Sequence, residues 1–259
     1  MTDMENAGLL PLDDKKAGII SRFRQAGCRA MADCLEQMYT APLYTSTDFD
    51  TKMELMIRAH EGQLRENRKK TLLRCSGLPQ CPEGTLIKLN LPGGIDAQVL
   101  ERLAMKARAM DRTGLVLSGP TGIGKTTLLA FLGRSYCREG VGVIYRNTYT
   151  MLESLTAADS VKQKTALCRL KAVQVLILDD FCIRGPVDDK ALWLLYSIVD
   201  KRWEEGKPTF VGSQVMGEQF STALGGDTMA DSVADRLMHP ADYFVLSGES
   251  RRKGLTGLN

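Results

Sequence analysis

A short apolar stretch that runs directly into a glycine-rich turn constrains this chain more than any other feature. Residues 114–118 have the length and composition of a strand, and residues 119–127 read GPTGIGKTT. This run satisfies the pattern G-x-x-x-x-G-K-[ST], and residues 125–137 after it have a helical pattern. Strand, glycine-rich turn and helix in that order are the context in which the pattern holds phosphate groups. The sequence therefore predicts a phosphate-binding loop at this point.

The residue types in this loop have distinct predicted roles. Glycines let consecutive backbone N–H groups curve around phosphate oxygens, and the helix N-terminus adds the positive end of its dipole. We expect Lys125 to reach the β and γ phosphates and the Thr126 hydroxyl to ligate Mg²⁺. The predicted nucleotide-binding residues are Gly119, Pro120, Thr121, Gly122, Ile123, Gly124, Lys125, Thr126 and Thr127.

A second apolar stretch ends in two carboxylates. Residues 175–178 read VLIL and are followed by Asp179 and Asp180. Asp179 is predicted to hold Mg²⁺, directly or through water, and Asp180 to orient or deprotonate the attacking water. An Asp pair after a strand can also cap a helix. The position downstream of a phosphate-binding loop favours the metal interpretation.

From about residue 96, short apolar strands alternate with helical patterns. Strands are predicted at 114–118, 141–145, 173–178, 209–212 and 243–246, and helices at 125–137, 151–158, 190–203 and 229–238. Such alternation favours an α/β fold with a parallel sheet covered by helices on both faces. Trp193, Tyr196 and Trp203 are expected to belong to its core.

The first third of the chain has a helical pattern instead. Apolar residues between 19 and 38 form one stripe that predicts a helix, and a second helical stretch covers residues 53–73. Pro42 and the cluster Ser46, Thr47 and Asp48 break the pattern between them and could cap the second helix. Prolines and glycines between 79 and 95 mark a linker. The predicted division is a small helical N-terminal domain (1–78), a linker (79–95) and a second domain (96–259).

The basic residues are the candidates for contact with nucleic acid. The chain carries 34 Lys and Arg against 31 Asp and Glu, so its net charge of +3 does not by itself indicate an acidic partner. Residues 58–74 hold six cationic side chains and two acidic ones. Such a run is either a solvated helix face or a contact to a phosphate backbone. The candidate DNA contacts in this region are Arg65, Arg68, Lys69, Lys70 and Arg74.

Composition also bears on location. No apolar run approaches the roughly 20 residues of a membrane-spanning helix, and the acidic first 14 residues differ from a secretory leader. The seven cysteines include no C-x-x-C pair, which is typical of reduced thiols. We therefore expect a cytoplasmic protein with no membrane partner.

Two further segments follow the phosphate-binding loop and the Asp pair along the chain. Gln214 comes directly after the fourth predicted strand, and Arg236 lies in the run ADRL. Residues 248–253 read GESRRK. Together with the phosphate-binding loop and the Asp pair, this order resembles the DnaC/IstB group of AAA+ ATPases. The resemblance is greatest to IstB, the helper ATPase encoded beside the transposase in a family of bacterial insertion sequences, and it covers nearly the whole chain.

The resemblance implies a fold and a set of site residues. The fold would be an AAA+ P-loop NTPase core with a five-stranded parallel sheet between helices, preceded by the helical N-terminal domain. Its substrate would be ATP with Mg²⁺. Catalysis would involve Lys125, Asp180, Gln214 as first sensor of the γ-phosphate, Arg252 as second sensor and Arg236 as an arginine finger that reaches the ATP of a neighbouring subunit. Arg251 competes with Arg252, since an aromatic residue is expected at position 251.

The resemblance also implies partners. The protein would form an ATP-dependent homo-oligomer on double-stranded DNA and assist a cognate transposase. Lys162, Lys164 and Lys171 lie between the second and third predicted strands, where related initiator proteins carry DNA-facing helices; a solvated helix surface is the alternative. A DnaC-like replicative helicase loader is the alternative function, and a small-molecule kinase is a third, although the sequence shows no convincing lid or acceptor carboxylate.

Overall fold

The computed structural model describes residues 10–80 and 113–248, together with residues 98, 99, 102, 103 and 105. The chain divides into two compact units, residues 1–68 and residues 69–259. Within the described residues, no helix combines the length and the apolar character that crossing a bilayer requires.

The first unit is helical. It contains α1 (Asp14–Gln25), α2 (Arg29–Thr40), a short 3₁₀ turn (Pro42–Tyr44) and most of α3 (Phe49–Cys75), whose last residues belong to the second unit. The prediction of one helix across residues 19–38 is wrong. Gly27 has φ +79°, and the Cys28 N–H donates to the carbonyl of Phe23 at 2.9 Å. This left-handed glycine with a six-to-one hydrogen bond ends α1.

The predicted start of the following helix is confirmed. The Asp48 carboxylate accepts a 2.9 Å hydrogen bond from the Thr51 N–H and a 2.6 Å bond from the Thr51 hydroxyl. A side chain that satisfies one of the first free N–H groups is what an N-cap supplies. The polar cluster after Pro42 therefore does cap α3.

The second unit is a parallel sheet with helices on both faces. Its strands are β1 (Gly114–Ser118), β2 (Val143–Asn147), β3 (Val175–Phe181), β4 (Thr209–Ser213) and β5 (Ala241–Val245), in the spatial order β2-β3-β4-β1-β5. The helices are α4 (Lys125–Arg138), α5 (Thr148–Ala157), α6 (Ser160–Ala172), α7 (Asp189–Glu204), α8 (Phe220–Leu224) and α9 (Thr228–Met238). Two clusters of buried apolar residues lie on the two faces. The α/β fold with a five-stranded parallel sheet is confirmed.

The end of α3 packs with the second unit. Leu72, Leu73 and Leu78 lie against the core cluster that includes α4, and the Ser76 carbonyl accepts a 2.8 Å hydrogen bond from the Tyr145 N–H in β2. Residues 69–80 therefore contribute to the sheet unit. Residues 81–95, most of the predicted linker, lie outside the described residues.

The aromatic residues of α7 differ from expectation. Trp193 is 53% exposed and Trp203 is 49% exposed, so their predicted burial is wrong. The core face of α7 is aliphatic instead, with Leu195, Ile198 and Val199 buried. Tyr196, the third aromatic residue of this set, is half-buried and packs against the core cluster, so the prediction holds in part for it.

Candidate nucleotide site

The carboxyl ends of three neighbouring strands bring most of the predicted site residues together. The glycine-rich loop follows β1, Asp179 and Asp180 lie in β3, and Gln214 follows β4. Ser213 of β4 pairs with Ser118 of β1 on one side and with Phe181 of β3 on the other. Carboxyl ends of parallel strands are where α/β sheets bind ligands.

The loop after β1 has the backbone geometry of an anion site. Gly122 and Gly124 have φ of +84° and +109°, and Gly124 is the N-cap of α4. A side chain on Gly119 would place its Cβ 2.4 Å from the carbonyl oxygen of Leu246. Left-handed glycines at a helix N-terminus allow backbone N–H groups to converge on phosphate oxygens.

Lys125 places a positive charge in this loop. Its side chain is only 6% exposed, and its Nζ donates to the carbonyl oxygens of Gly119 at 2.7 Å and Pro120 at 2.9 Å. These bonds hold the ammonium group across the loop. A buried cation among converging N–H groups can bind a polyphosphate.

Asp179 is the centre of a buried hydrogen-bond cluster. The residue is 1% exposed, and its Oδ2 accepts bonds from the Thr126 hydroxyl at 2.6 Å and from the Tyr145 hydroxyl at 2.7 Å. Burial, and next the hydrogen bond to Asp179, raise the pKa of the Tyr145 phenol, so the phenol remains a donor at neutral pH. The phosphate-binding loop, β2 and β3 therefore share one carboxylate oxygen.

The other oxygen of Asp179 fits a cation. Oδ1 is buried and accepts no hydrogen bond from any residue that the structure describes. A Cβ on Gly212 would lie 2.4 Å from this oxygen, so glycine is what lets the carboxylate lie this close to β4. A buried carboxylate oxygen without a donor is costly unless a ligand satisfies it. Asp179, with the adjacent Thr126 hydroxyl, is a set of hard oxygen donors that suits Mg²⁺.

Asp180 is presented by an unusual backbone conformation. Its φ is +51°, and the pairing of β3 with β4 is irregular between Leu178 and Phe181. Its Oδ2 accepts a 2.9 Å hydrogen bond from Asn147 Nδ2, while Asn147 Oδ1 caps α5 by accepting from the Thr150 N–H at 3.1 Å. Left-handed non-glycine residues cost about 1–3 kcal/mol and cluster at functional sites.

Gln214 contacts the phosphate-binding loop directly. Its Oε1 accepts a 2.7 Å hydrogen bond from the Thr121 hydroxyl. The end of β4 is thereby linked to the loop that follows β1. The structure thus brings Lys125, Asp179, Asp180 and Gln214 to one edge of the sheet.

Arg236 lies at the opposite edge. With Gly114 of β1 and with Pro208, which precedes β4, it lines a cavity of about 170 Å³. Both neighbours mark the amino ends of their strands, and a five-residue strand is roughly 13 Å long. Arg236 is therefore separated from the phosphate-binding loop of its own chain. Arg251 and Arg252 lie outside the described residues.

The basic residues of α3 differ in their surroundings. Arg65 lies 3.6 Å from the Glu61 carboxylate in an exposed pair. Arg68, Lys70 and Arg74 are exposed, and Lys69 is half-buried. Exposed ion pairs contribute at most about 1 kcal/mol, so Arg65 remains available to another anion.

The basic residues of α6 occupy two faces of that helix. Lys162, paired with Asp159 at 2.9 Å, and Arg169 line a cavity of about 760 Å³ together with Arg146 of β2. Lys164 and Lys171 are seven residues apart, which places them on one face of the helix. That face differs from the face of Lys162 and Arg169, because residues two apart on a helix point in different directions. The predicted set Lys162, Lys164 and Lys171 does not form one surface.

The sequence interpretation missed three residues of the site: Tyr145, Asn147 and Gly212. The second strand was expected at 141–145, but β2 runs from Val143 to Asn147, which places Asn147 at its carboxyl end. A polar residue at the end of a strand adjacent to the acidic strand is the signal that could have identified Asn147. Nothing local in the sequence marks Tyr145 or Gly212, because their role depends on the register between strands.

Comparison with known proteins agrees with this geometry. The model of the family "IstB-like ATP binding protein" matches residues 22–256. The chain is 30% identical over 238 residues to the insertion sequence ATP-binding protein y4uH of Sinorhizobium fredii, which covers 90% of this chain and 94% of that protein. It is also 30% identical to the insertion sequence IS1162 ATP-binding protein of Pseudomonas fluorescens, over 81% of this chain and 89% of that protein.

A solved structure supports the same assignment. The crystal structure of DnaI superposes with a TM-score of 0.55 at 25% identity, over 71% of this chain and 93% of that one. The shared sheet and the phosphate-binding loop fit an ATPase core. The chain belongs to the IstB-like ATP binding protein family, and it is an ATPase of the DnaC/IstB group of AAA+ proteins.

Proposed function

We propose that this ATPase assembles on double-stranded DNA in its ATP-bound form and assists a cognate transposase in insertion-sequence transposition. The names of the relatives support the link to insertion sequences. The proposal places the protein in the cytoplasm, where DNA and ATP are available.

The observation that carries the proposal is the position of Arg236. Arg236 lies at the amino ends of the strands, whereas Lys125, Asp179 and Gln214 lie at the carboxyl ends. If Arg236 acts on bound ATP, it therefore acts on the ATP of another copy of the chain. An arginine supplied in trans couples hydrolysis to assembly.

Within one chain, each site residue has a separate task in this proposal. Lys125 and the loop N–H groups bind the phosphates, and Thr126 with Asp179 holds Mg²⁺. Bound Mg²⁺ would add positive charge beside the phosphate oxygens. Asp180, oriented by Asn147, accepts a proton from the attacking water, and Gln214 contacts the γ-phosphate. Arg252 or Arg251 acts as second sensor from the same chain.

Two basic surfaces are the proposed DNA contacts. One is the exposed part of α3 with Arg65, Arg68, Lys69, Lys70 and Arg74. The other belongs to α6, where Lys162 joins Arg146 and Arg169 around the cavity and Lys164 with Lys171 forms the second face. Contacts of this kind to the backbone give salt-sensitive and weakly sequence-selective binding.

Affinity for duplex DNA in three nucleotide states tests the proposal. Fluorescence anisotropy should show tight binding with a slowly hydrolysed ATP analogue and at least tenfold weaker binding with ADP or no nucleotide. Removing phosphate contacts should lower both affinity and its dependence on salt, by about one unit of slope per contact. Lys164→Ala/Lys171→Ala and Arg146→Ala/Arg169→Ala separate the two faces of α6. Equal affinity in all three states would contradict the proposal.

The resemblance to the DnaC/IstB group makes a replicative helicase loader the second candidate. Pull-down of the full chain against a replicative helicase and against the cognate transposase separates the two. Retention by the transposase supports the first function, and retention only by the helicase supports the loader.

A further inference from the structure

Arg236 is held against α7 by a carboxylate. Its Nε is buried and lies 2.7 Å from Asp200 Oδ1, an ion pair without the alignment of a hydrogen bond, and the two side chains are 23% and 26% exposed. Both side chains are therefore half-buried, and water screens the ion pair between them only partly. Arg236 and Asp200 belong to different helices, α9 and α7, so the pair fixes the position of the arginine relative to the body of the sheet unit.

Two aromatic rings complete the surroundings. The Arg236 guanidinium carbon lies 5.4 Å from the ring centre of Tyr196 and 5.4 Å from that of Trp203. Tyr196, Asp200 and Trp203 are spaced by four and three residues, which places them on one face of α7. We call these three residues the α7 seat. Contacts between arginine and aromatic rings are favourable and restrict the guanidinium plane.

The outer end of the guanidinium retains a donor group. Nη1 donates to the Ser232 carbonyl at 3.2 Å within α9, and Nη2 has no hydrogen-bond partner among the described residues. The carboxylate thus lies on the Nε side. An arginine whose Nε lies beside a carboxylate and whose guanidinium lies near aromatic rings can still present a terminal nitrogen to an anion.

We propose that Asp200 is a positioning residue that acts through Arg236 on the ATP of a second copy of this chain. This inference rests on the proposed function, in which Arg236 acts in trans. A free arginine side chain loses rotamer entropy when it is fixed. The α7 seat fixes it before the second copy arrives, so less of this cost remains at assembly.

The ion pair contributes little to the stability of the fold, so a loss of activity on removing it does not come from unfolding. A partly exposed pair of this kind adds little to the stability of a protein. Asp200→Asn keeps the shape of the side chain and removes its charge. Glu204→Gln is the matched control, because Glu204 is an exposed acid on the same helix that pairs with Lys201 at 3.2 Å.

A mixing experiment assigns the effect to one side of the interface. Lys125→Ala removes a chain's own phosphate contact but leaves its Arg236, so this variant is the donor. Arg236→Ala keeps its own phosphate site, so this variant is the acceptor. Each alone should hydrolyse little ATP, and the mixture should recover hydrolysis. Asp200→Asn in the donor should lower the recovered rate about tenfold, whereas in the acceptor it should change the rate less than twofold.

The outcomes separate this inference from the function beneath it. Failure of the two folded variants to recover any hydrolysis on mixing would overturn the trans role and the inference with it. Recovery with an equal effect of Asp200→Asn on both sides, or with no effect on either, would overturn the inference alone. Partial recovery by Asp200→Glu in the donor, with Glu204→Gln without effect, would support it.

Discussion

The hydroxyl of Tyr145 donates a 2.7 Å hydrogen bond to the same Asp179 oxygen that accepts from Thr126. Tyr145 comes from the edge strand β2 and Thr126 from the phosphate-binding loop, so two separate segments fix one carboxylate. The consequence is that Oδ2 is fully engaged and Oδ1 is the oxygen available to a cation.

Removing the Tyr145 hydroxyl should weaken this arrangement without removing it. Tyr145→Phe loses one hydrogen bond to a charged group, worth about 1.5–3 kcal/mol. We expect the Mg²⁺ concentration for half-maximal ATPase activity to rise roughly 10- to 150-fold, with the maximal rate less affected. Tyr149→Phe is the control, since the Tyr149 ring packs against Arg184 and the substitution keeps that ring. An unchanged Mg²⁺ requirement would remove the role of Tyr145.

A side chain at Gly212 should displace the Asp179 carboxylate, because it would collide with Oδ1. The new Cβ would lie 2.4 Å from Asp179 Oδ1 and 2.7 Å from Leu129 Cδ1, so the carboxylate has to move. We expect Gly212→Ala to reduce ATPase activity more than tenfold at limiting Mg²⁺ and to lose part of this defect at high Mg²⁺. Gly62→Ala meets no atom within 4 Å and should stabilise α3 by about 0.5–1 kcal/mol. Full activity of Gly212→Ala at limiting Mg²⁺ would contradict the assignment.

The sequence predicts what depends on local pattern and misses what depends on pairing between distant segments. The strand, the glycine-rich loop and α4 are contiguous, and the structure has them where the pattern places them, with α4 beginning at Lys125. Tyr145 reaches Asp179 only because β2 pairs with β3 in one register, with Asn147 opposite Asp179. The second strand was predicted at 141–145, two residues too early, so the prediction did not place Asn147 opposite Asp179.

The α7 seat shows a second limit. Trp193, Tyr196 and Trp203 have the spacing of a core stripe, and the sequence cannot tell which of two apolar faces the sheet covers. The aliphatic face with Leu195 and Ile198 is the buried one. Arg236 of α9 therefore contacts the residues of the α7 seat outside the aliphatic core. These contacts join two helices that are some 30 residues apart along the chain.

Arg202 should be a determinant of stability rather than of catalysis. The side chain is fully buried and donates five hydrogen bonds, to Thr209 Oγ1 and to the carbonyls of Leu170, Val173, Gln174 and Pro208. Burial lowers its pKa to about 9. Arg202→Met keeps most of the volume but removes all five hydrogen bonds from buried acceptors, so we expect a loss of about 3–5 kcal/mol. Denaturant titration measures it, with Arg138→Met at an exposed position in the last turn of α4 as the control; a loss below 1 kcal/mol would contradict the account.

The buried thiol of Cys137 and the half-buried thiol of Cys182 should resist alkylation. Burial raises the pKa of Cys182 to about 12 and that of Cys137 to about 11, whereas Cys75 and Cys168 are exposed. At pH 8.5, peptide mass spectrometry after iodoacetamide treatment should find Cys75 and Cys168 modified first, because the thiolate is the reactive form. Modification of Cys182 as fast as Cys168 in the folded protein would contradict its burial.

The same shift has a consequence for stability. The folded state keeps the Cys182 thiol protonated, while the unfolded thiol ionises near its ordinary pKa of 9.0. The unfolding free energy should therefore fall as pH rises through about 9, by up to about 1.4 kcal/mol per pH unit for this group. Cys182→Ala should show a shallower decline between pH 8.5 and 10.5. An identical slope in both proteins would show that the thiol does not contribute.

The most direct test of the trans arrangement is particle mass, measured by mass photometry on duplex DNA with a slowly hydrolysed ATP analogue, with ADP and without nucleotide. The account predicts multi-subunit particles only with the ATP analogue, and their loss in Arg236→Ala although that variant still binds the analogue. Particles of the same mass in all three conditions, or unchanged assembly and hydrolysis by Arg236→Ala, would contradict it.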